Sequence, residues 1–525
     1  MAWITILLLT PLLLTAVWIV NTSIHLLRNY SAARKIGVPV RLIPISPLNP
    51  FWVLLDRKVL PAFRRLPFGD NSFTRYNWRG WEIEARYRSH HEMGDIWVLV
   101  TPLKNWVYIN DPEALMSVFR RGADFPRPIF VSGPCRAEGQ QWKTQRRIAT
   151  RCFNEQNNEI VWSEAITLAD LRTLSLHILS RAGFGKSFKF EGHDERKSSV
   201  SPSSSYKESL QTILENCVLI LAFGTKFLAI PWLPRKFRNV HEAWVSFRAY
   251  MTNLYEEEKR AFADGRVTDH NLMTLMVRAS QDEAKTSGGL TENEIYGNMF
   301  AFNFAGHDTT ATTFTFAMYF LAAHPAVQDW ISEEIQSVLG DRQPHEWDYR
   351  TDFPRLKRCL SVMLETMRLY TPVPVIKWTD NRSQSLTVGE RTIHLPPHSM
   401  IAPSYGAIQT DPRYWGSDSL DWRPSRWIKG GKPGFEELDL PVRGAFIGWS
   451  EGTRDCPGRK FSQVEFVATM AVLFLDQRVD PVTTKGESID AARERVMDLI
   501  KTDSGPVLLL QMLHPERAPL AWRKS

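Results

Sequence analysis

The chain has 525 residues, of which 43% are hydrophobic and 11% aromatic, so it has enough apolar mass to bury a large core. Its formal net charge of +7 is a mild basic excess without a dense Lys or Arg tract, which excludes nucleic acid as an expected partner. The five cysteines include no CxxC pair, which excludes a disulfide framework and a zinc finger and favours a reducing compartment. They lie at positions 135, 152, 217, 359 and 456.

The N-terminus carries an apolar run that predicts a membrane anchor. From Trp3 to Val20 it contains no charge, and it just reaches the length that spans a bilayer core. A secretory signal peptide would have a basic start and a small-residue cleavage site, and Met1-Ala2 supplies no side-chain charge. A buried core helix is the other alternative, which the basic, Pro-rich stretch that follows disfavours. We therefore expect an uncleaved anchor over residues 1–27.

A basic, proline-rich segment follows the apolar run. By the positive-inside rule its cations place the rest of the chain on the cytoplasmic side. These cations are Arg28, Arg34, Lys35 and Arg41. Prolines at positions 39, 44, 47 and 50 interrupt any regular helix. Residues 28–50 are therefore predicted to be a hinge in front of one large domain over residues 51–525.

Helical patterns dominate the second half of the chain. Gly288-Gly289 precede a capping box at Thr291 to Glu294, and apolar residues then continue for about thirty positions until the stop signal His324-Pro325. A helix of this length that is apolar nearly all round is expected to run through the protein interior. A second helix is predicted from Asp352 to Tyr370, where Thr371-Pro372 ends it.

The remaining patterns indicate little regular sheet. Strand-like alternation is short and scattered, as in Ile96 to Val100. Charges give way to serines over residues 193–207, which predicts an exposed loop. The expected fold class is mainly α with small β-sheets.

The long helix contains a polar segment at its centre, Ala305-Gly306-His307-Asp308-Thr309-Thr310. Ionisable groups are costly inside an apolar helix, and a glycine removes bulk where a flat ligand could approach. Ala305 and Thr309, four residues apart, share one face. A structural role stays equally open from these six residues alone. In that role Asp308 caps or forms a salt bridge, and Thr309 bonds to the carbonyl four residues earlier.

A possible charge network lies further on. Glu365 and Arg368 stand three residues apart on one helical face and can form an ion pair, which by itself is a common surface feature. Arg426 is a candidate third member. Such networks more often stabilise a structure than perform catalysis.

The segment from Trp449 to Phe461 places Cys456 between two glycines, two residues after Arg454 and just before a new helical pattern. A helix N-terminus and a nearby cation both stabilise a thiolate, which is the form that binds a metal ion. The glycines let the backbone approach a cofactor and donate amides to the sulfur, and the arginine could hold a carboxylate. A buried inert cysteine is the usual alternative, against which this local chemistry argues.

This segment resembles the haem-binding signature of the cytochrome P-450 family, Phe-x-x-Gly-x-Arg-x-Cys-x-Gly. It matches at Gly452, Arg454, Cys456 and Gly458, while Trp449 stands where phenylalanine is usual, as in many filamentous-fungal members. Three more segments are similar to family motifs and fall in the expected order. They are Trp142-x-x-x-Arg146 (propionate binding), Ala305 to Thr310 (oxygen activation) and Glu365-x-x-Arg368 with Arg426 (the Glu-x-x-Arg network).

The resemblance implies a cytochrome P-450 fold behind an N-terminal transmembrane helix, with haem b as cofactor and Cys456 as its axial thiolate. It implies that Asp308 relays protons and Thr309 positions them. The residues expected to contact the haem are Trp142, Arg146, Ala305, Gly306, Trp449, Gly452, Arg454 and Gly458. The propionates are assigned to Trp142, Arg146 and Arg454, and the bracing of the fold to Glu365, Arg368 and Arg426.

The implied activity is that of a monooxygenase that oxidises an apolar small molecule, in fungal secondary metabolism. No nucleotide-binding segment or flavin domain is evident, so electrons are expected from a separate NADPH-dependent cytochrome P-450 reductase. It would meet the basic face near Arg454, Arg459 and Lys460. The microsomal arrangement implies a single pass through the endoplasmic reticulum membrane, with the catalytic domain in the cytoplasm. Candidate substrate walls, for which ordinary packing stays equally open, are Phe302, Ala305, Val373 to Ile376 and Phe125 to Ser132.

Two other classes stay open. A haem-thiolate isomerase or dehydratase would rearrange an oxidised substrate without O2, and would need no proton relay such as Asp308-Thr309. A non-catalytic haem-binding membrane protein would keep a buried acid and alcohol in an apolar helix at a cost and without a use.

Overall fold

The computed structural model describes residues 2–78, 80–127, 139–165, 178, 181–183, 209–210, 212–213, 216–266, 271–284, 289–506 and 509–524. Helices and strands are numbered over these residues. The serine-rich loop expected at 193–207 lies outside them.

The described part of the chain is mainly helical with small sheets, which confirms the predicted fold class. The helices are α1 (Ala2–Arg34), α2 (Pro50–Arg64), α3 (Ser72–Tyr76), α4 (Trp81–Ala85), α5 (Arg88–Met93), α6 (Pro112–Arg120), α7 (Gly139–Cys152), α8 (Glu155–Ala165), α9 (Cys217–Leu228), α10 (Arg235–Ala263), α11 (Leu272–Ala284), α12 (Glu292–Ala323), α13 (Pro325–Leu339), α14 (Tyr349–Asp352), α15 (Lys357–Leu369), α16 (Tyr405–Ile408), α17 (Pro412–Trp415), α18 (Arg459–Leu473) and α19 (Ile489–Thr502). The strands are β1 (Val40–Leu42), β2 (Ile96–Val100), β3 (Asn105–Ile109), β4 (Lys377–Trp378), β5 (Gln384–Val388), β6 (Arg391–Leu395), β7 (Met400–Pro403), β8 (Ile428–Lys429), β9 (Glu437–Leu438), β10 (Gln477–Pro481), β11 (Ser504–Pro506), β12 (Leu510–Met512) and β13 (Leu520–Lys524).

The largest sheet has five strands in the order β1-β2-β3-β7-β4. β1 runs parallel to β2, β2 and β3 form an antiparallel pair, and β3 runs parallel to β7. Both faces of β2 are buried, because Val98 packs into one hydrophobic cluster and its neighbours Trp97 and Leu99 pack into another. The predicted strand at Ile96 to Val100 is therefore confirmed.

The segment predicted to be a hinge, residues 28–50, contains the end of α1 and the strand β1. α1 continues to Arg34, and Asn29 donates its side-chain amide to the Thr101 carbonyl at 2.9 Å. β1 pairs with β2, and Ile43 behind it is fully buried. Prolines disfavour a helix in this segment but permit a short strand at the edge of a sheet, which accounts for β1.

The first helix presents apolar side chains to the outside. Val17, Trp18, Ile19 and Val20 are all exposed. Across the residues described above, no helix is both long enough and apolar enough to cross a membrane.

The long helix α12 begins at the predicted capping box. Thr291 accepts the Glu294 N–H, and the Glu294 carboxylate accepts the Thr291 N–H at 2.9 Å. The helix ends before His324, as predicted. Its C-terminal half is buried, and Phe314 stacks on Phe466 of α18 with ring centroids 4.6 Å apart. This contact packs α12 against α18, the helix that follows Cys456.

The second predicted helix begins later than expected. A 3-10 turn covers Phe353–Arg355, and α15 starts at Lys357. Glu334 of α13 caps it, because its carboxylate accepts the N–H groups of Arg358 and Cys359 at 2.7 and 3.1 Å. A cap supplied by another helix leaves no local sequence signal, which accounts for the misplaced start.

Candidate functional site

The loop that carries Cys456 has a backbone that few sequences could adopt. Gly452 has a φ of +76°, and a Cβ there would lie 2.4 Å from the Phe119 carbonyl oxygen, so only glycine fits. The Cys456 N–H donates to the Trp449 carbonyl at 2.9 Å. α18 begins at Arg459, as the sequence pattern indicates. The thiol is therefore held just ahead of a helix N-terminus.

The Cys456 side chain is exposed, although protein packed around it removes most of its water. This burial raises the pKa of the thiol, against the lowering effects of an N–H···S bond from Gly458 and of the charges on Arg146 and Arg127. Such a thiol loses its proton when a metal ion coordinates the sulfur. The other two cysteines whose side chains the structure describes are buried. Cys456 is therefore the described cysteine best placed to bind a metal ion.

Three predicted side chains from distant segments meet beside this loop. The Arg454 guanidinium lies 4.4 Å from the centroid of the Trp142 ring. Arg146, about one helical turn after Trp142 on α7, donates to the Asp455 carbonyl at 2.9 Å and forms an ion pair with the Asp455 carboxylate. Both side chains thus connect α7 to the cysteine loop.

Two cations that the sequence analysis missed extend this group. Lys377 of β4 is 1% exposed, and its ammonium lies 5.7 Å from the centroid of the Phe119 ring. Burial, followed by the charges of Arg127 and Arg454, lowers the pKa of Lys377 to about 8. Arg127 also donates to the Arg454 carbonyl at 3.0 Å. The available signal was a lysine inside the apolar stretch Val373 to Trp378.

The centre of α12 is open on one side. Ala305 is exposed in the middle of the helix. The Thr309 hydroxyl donates to the Ala305 carbonyl at 2.6 Å, which is the structural alternative left open by the sequence. His307 Nδ1 lies 2.9 Å from Asp308 Oδ1. The predicted acid and alcohol are thus neighbours, and the acid bonds to a histidine to which the sequence assigned no role.

The ring of Phe153 lies between α12 and α18, the helix that follows Cys456. Phe153 lies 5.1 Å from Phe302 on α12 and 6.1 Å from Phe461 on α18, measured between ring centroids. Ala305 stands three residues after Phe302 on the same helical face. The open side of α12 therefore faces the region of the Cys456 loop.

The substrate walls expected from the sequence are met only in part. Val373 is 39% exposed and can face a ligand, but Phe125 is fully buried in a core cluster. Val375 and Ile376 pack against the two clusters on either face of the five-stranded sheet. Residues 128–132 lie outside the described residues.

The predicted charge network of Glu365, Arg368 and Arg426 is present in the structure. Glu365 is fully buried and accepts hydrogen bonds from Arg368 at 2.7 and 2.8 Å, from Arg426 at 2.9 Å and from the Trp427 indole at 2.9 Å. Burial raises the pKa of Glu365, but the hydrogen bonds and charges of Arg368 and Arg426 outweigh it and hold this pKa below its ordinary value. Arg368 also donates to the Gln409 carbonyl at 2.8 Å. All of the hydrogen bonds described for Glu365, Arg368 and Arg426 join protein groups to one another. The network therefore has a structural role.

These features fit haem b. The exposed thiol of Cys456 supplies a metal ligand, and the small residues Ala305 and Gly306 leave space for a flat ring. A group of cations, one of which pairs with Asp455, is suited to the two propionates. Its members are Arg127, Arg146, Lys377 and Arg454.

Residues 167–501 match the protein family described as Cytochrome P450. The chain is 26% identical to a cytochrome P450 monooxygenase of Arthrobotrys oligospora, over 94% of this chain and 95% of the relative. It is 30% identical to the phomenoic acid biosynthesis cluster cytochrome P450 monooxygenase of Leptosphaeria maculans, over 89% and 90%. It is 27% identical to a cytochrome P450 monooxygenase of Penicillium rubens, over 87% and 88%. The chain belongs to the cytochrome P450 family, whose members are monooxygenases with a haem bound through a cysteine thiolate.

Proposed function

We propose that this monooxygenase oxidises an apolar small molecule with electrons from a separate NADPH-dependent cytochrome P450 reductase, at the endoplasmic reticulum membrane. The observation that carries the proposal is the exposed thiol of Cys456 beside a group of buried and half-buried cations. No other described cysteine combines exposure with such surroundings.

The haem would be held at both its metal and its carboxylates. Haem bound through Cys456 supplies the iron at which dioxygen is activated. Trp142, Arg146 and Arg454 would hold the propionates, and Lys377 would add a fourth group to the three expected from sequence. The Gly458 N–H restrains the sulfur by its hydrogen bond. The loop residues Trp449 and Gly452 hold the backbone that presents it.

Proton delivery is assigned to α12. The overall reaction uses one O2, two electrons from NADPH and two protons, and places one oxygen atom in the substrate and the other in water. Asp308 is assigned the relay of protons, and the Thr309 hydroxyl accepts a hydrogen bond while it donates to the Ala305 carbonyl. The apolar remainder of the helix limits access of bulk water.

The electron donor would bind the basic surface around α7. Lys143, Arg147 and Arg151 are exposed at intervals of four residues, so they share one face of the helix. They line a shallow depression of about 540 Å³ that also includes Trp142. The same α7 side chains that contact the cysteine loop therefore lie beside a cationic surface suited to an acidic partner. Arg459 and Lys460, exposed at the start of α18, extend it.

Membrane attachment is proposed through α1. The apolar run from Trp3 to Val20 lies within this helix, and its described side chains Val17 to Val20 are exposed. Basic residues follow it, which favours a body on the cytoplasmic side. Fractionation of cells that express the full chain, compared with a chain lacking residues 2–20, tests the proposal. Equal recovery of both in the soluble fraction would refute it.

The substrate is proposed to be an apolar intermediate of fungal secondary metabolism. The relative in Leptosphaeria maculans is named for a phomenoic acid biosynthesis cluster, and the chain is also similar to monooxygenases of other filamentous fungi. Val373, in the loop after α15, and Ala305, on α12, are both exposed and supply apolar surface. Compounds that shift the haem spectrum toward the high-spin form identify candidates for turnover assays.

The absorption spectrum of the reduced, carbon monoxide-bound protein is the central experiment. We expect a strongly red-shifted Soret band in wild type and its loss in Cys456→Ala. Cys152→Ala, which removes a buried thiol, is the matched control and should keep the band. A haem-loaded wild type without the band would contradict the thiolate assignment.

Reductase-dependent O2 uptake then separates the monooxygenase from the other classes. A haem-thiolate isomerase or dehydratase would form product without O2 and NADPH, and a binding protein would form none. Product that contains one atom from labelled O2 is the result expected here.

A further inference from the structure

Asp308 has one hydrogen-bond partner among the described residues, the neighbouring His307. Nδ1 of the imidazole lies 2.9 Å from Oδ1 of the carboxyl group. Both side chains are partly buried, with 21% and 34% of their surfaces exposed. Because both residues stand on one rigid helix, this contact restricts the rotamers that the carboxyl group can adopt.

Thr309, the next residue, is restrained in a different way. Its hydroxyl donates to the Ala305 carbonyl at 2.6 Å, so the helix backbone fixes its position. The Asp308 carboxyl group has no such bond to the described backbone. His307 supplies the restraint that the backbone gives to Thr309.

We propose that His307 is a positioning residue for Asp308, which keeps the carboxyl group in one orientation in both of its protonation states. The inference rests on the proposed role of Asp308 in proton delivery. It adds a residue on which the efficiency of that delivery depends.

Imidazole has the chemistry that this role needs. An ionised carboxylate accepts hydrogen bonds and never donates, so it bonds to the tautomer with its proton on Nδ1. A protonated carboxyl group donates, and the other tautomer accepts at Nδ1. The change of tautomer moves one proton from Nδ1 to water and another from water to Nε2, so it consumes none. His307 therefore stays bonded while Asp308 gains a proton and releases it.

A permanently charged partner would act differently. Lysine and arginine carry donors alone, and their positive charge holds a neighbouring carboxylate in its ionised form. The Asp308 carboxylate would then be well oriented, but it would accept a proton less readily. Glutamine keeps both functions, because its amide offers N–H donors and a carbonyl acceptor.

The test compares full-length His307→Gln, His307→Leu and His307→Lys with wild type. Purified reductase and NADPH drive O2 consumption without added substrate, and the fraction of O2 recovered as hydrogen peroxide is measured. Two electrons and two protons convert O2 to peroxide, whereas four of each convert it to two waters. The ratio of peroxide to water therefore reports proton delivery even though the substrate is unidentified.

We expect the leucine and lysine variants to raise this ratio by about tenfold, which corresponds to the loss of one useful hydrogen bond. The glutamine variant should stay within about twofold of wild type, because it restores both donor and acceptor. His345→Leu, at an exposed histidine in the turn Pro344–Glu346, controls for the substitution itself and should have no effect.

A second readout does not depend on turnover. In protein labelled with nitrogen-15 histidine, the ring signals absent from His307→Gln identify His307. We expect these signals to shift in Asp308→Asn, whose amide can donate as well as accept. Signals that are the same in both proteins would show that the bond is absent in solution and would overturn the inference.

The outcomes separate this inference from the proposed function. Wild-type peroxide ratios in both the leucine and the lysine variant, or a glutamine variant as impaired as leucine, would overturn the role of His307. If Asp308→Asn also has a normal ratio, the proposed function of Asp308 fails as well. If Asp308→Asn raises the peroxide ratio and His307→Leu does not, the positioning role of His307 is refuted while the role of Asp308 stands. The carbon monoxide spectrum confirms that every variant retains its haem-thiolate bond.

Discussion

The Arg454 guanidinium lies 4.4 Å from the centroid of the Trp142 ring, so a residue of the cysteine loop is supported by a side chain of α7. The contact orients the charge of Arg454 without neutralising it, because an aromatic face attracts a cation but carries no net charge. Trp142 therefore helps to orient the cation that is expected to bind a carboxylate of the cofactor. An acid in the place of Trp142 would occupy that charge.

Trp142→Ala should weaken haem retention by about two- to thirtyfold, which corresponds to a cation–π contribution of about 0.5 to 2 kcal/mol. Trp142→Phe keeps an aromatic face and should lose less. The measurement is the rate of haem transfer to an excess of a competing apoprotein. Lys143→Ala, at the exposed neighbouring position, is the control and should match wild type.

Lys377 makes haem binding depend on pH. Its pKa of about 8 lies below the ordinary value of 10.5, so charging this lysine destabilises the haem-free fold, and that cost develops as pH falls from 10.5 to about 8 and is complete below it. Propionates beside the ammonium favour the charged form and raise its pKa. Haem binding then takes up a proton, and affinity should decrease as pH rises above about 8.

Haem dissociation rates measured from neutral to alkaline pH check this expectation. Lys377→Arg should bind haem with a flatter pH profile, because its charge persists across the range. Lys377→Met should bind more weakly and also without the pH dependence. A wild-type profile in Lys377→Met would show that the lysine does not contact the propionates.

Glu365→Gln should destabilise the fold by about 3 to 5 kcal/mol, because it leaves the buried guanidinium group of Arg368 without its counter-charge and removes one of the two acids that pair with Arg426. Urea unfolding of the haem-loaded protein gives the magnitude. Glu390→Gln, at an exposed position, should be neutral.

The same network contributes a pH dependence of stability. The pKa of Glu365 is held below its ordinary value of 4.5, so its stabilisation is fully present above pH 4.5 and is lost as pH falls through the lower pKa of the folded state. Glu365→Gln should show less acid destabilisation than wild type. An equal acid response in the two proteins would contradict this assignment.

Thr309→Ala should leave the haem bound and the carbon monoxide spectrum unchanged, but divert reducing equivalents to hydrogen peroxide, because the hydroxyl that positions protons is lost. The ratio of peroxide formed to NADPH consumed measures the effect. Thr315 donates to the Ala311 carbonyl at 2.9 Å in the same manner, so Thr315→Ala controls for the loss of a helix back-bond. Full coupling in Thr309→Ala would dismiss the assigned role.

Local patterns predicted the elements whose signals lie within a few residues. The capping box of α12 is confirmed at Thr291, and the helix after Cys456 begins near its predicted position. The start of α15 was misplaced because its cap, Glu334, belongs to another helix. β1 was missed because only its pairing with β2 makes that proline-flanked stretch a strand.

In the site too, local motifs were predicted, whereas contacts between distant segments were not. The sequence motifs named Trp142, Arg146 and Arg454, whose convergence on the cysteine loop the structure displays. Lys377 was missed, because a short strand brings it from the substrate-wall segment to the cation group, and no spacing in the sequence records that approach. His307 lies within a motif, but its bond to Asp308 depends on side-chain rotamers that sequence leaves open.

The junction between α1 and the sheet has a mechanical consequence. Asn29 donates to the Thr101 carbonyl and its own carbonyl accepts from Asn105, both at 2.9 Å, while Leu26 and Tyr30 pack against the cluster beneath. These contacts restrict rotation of α1 relative to the five-stranded sheet. A surface that binds the N-terminal part of α1 would therefore also determine the orientation of the sheet relative to that surface. A shortened chain intended for crystallisation should keep these contacts intact and begin ahead of Leu26.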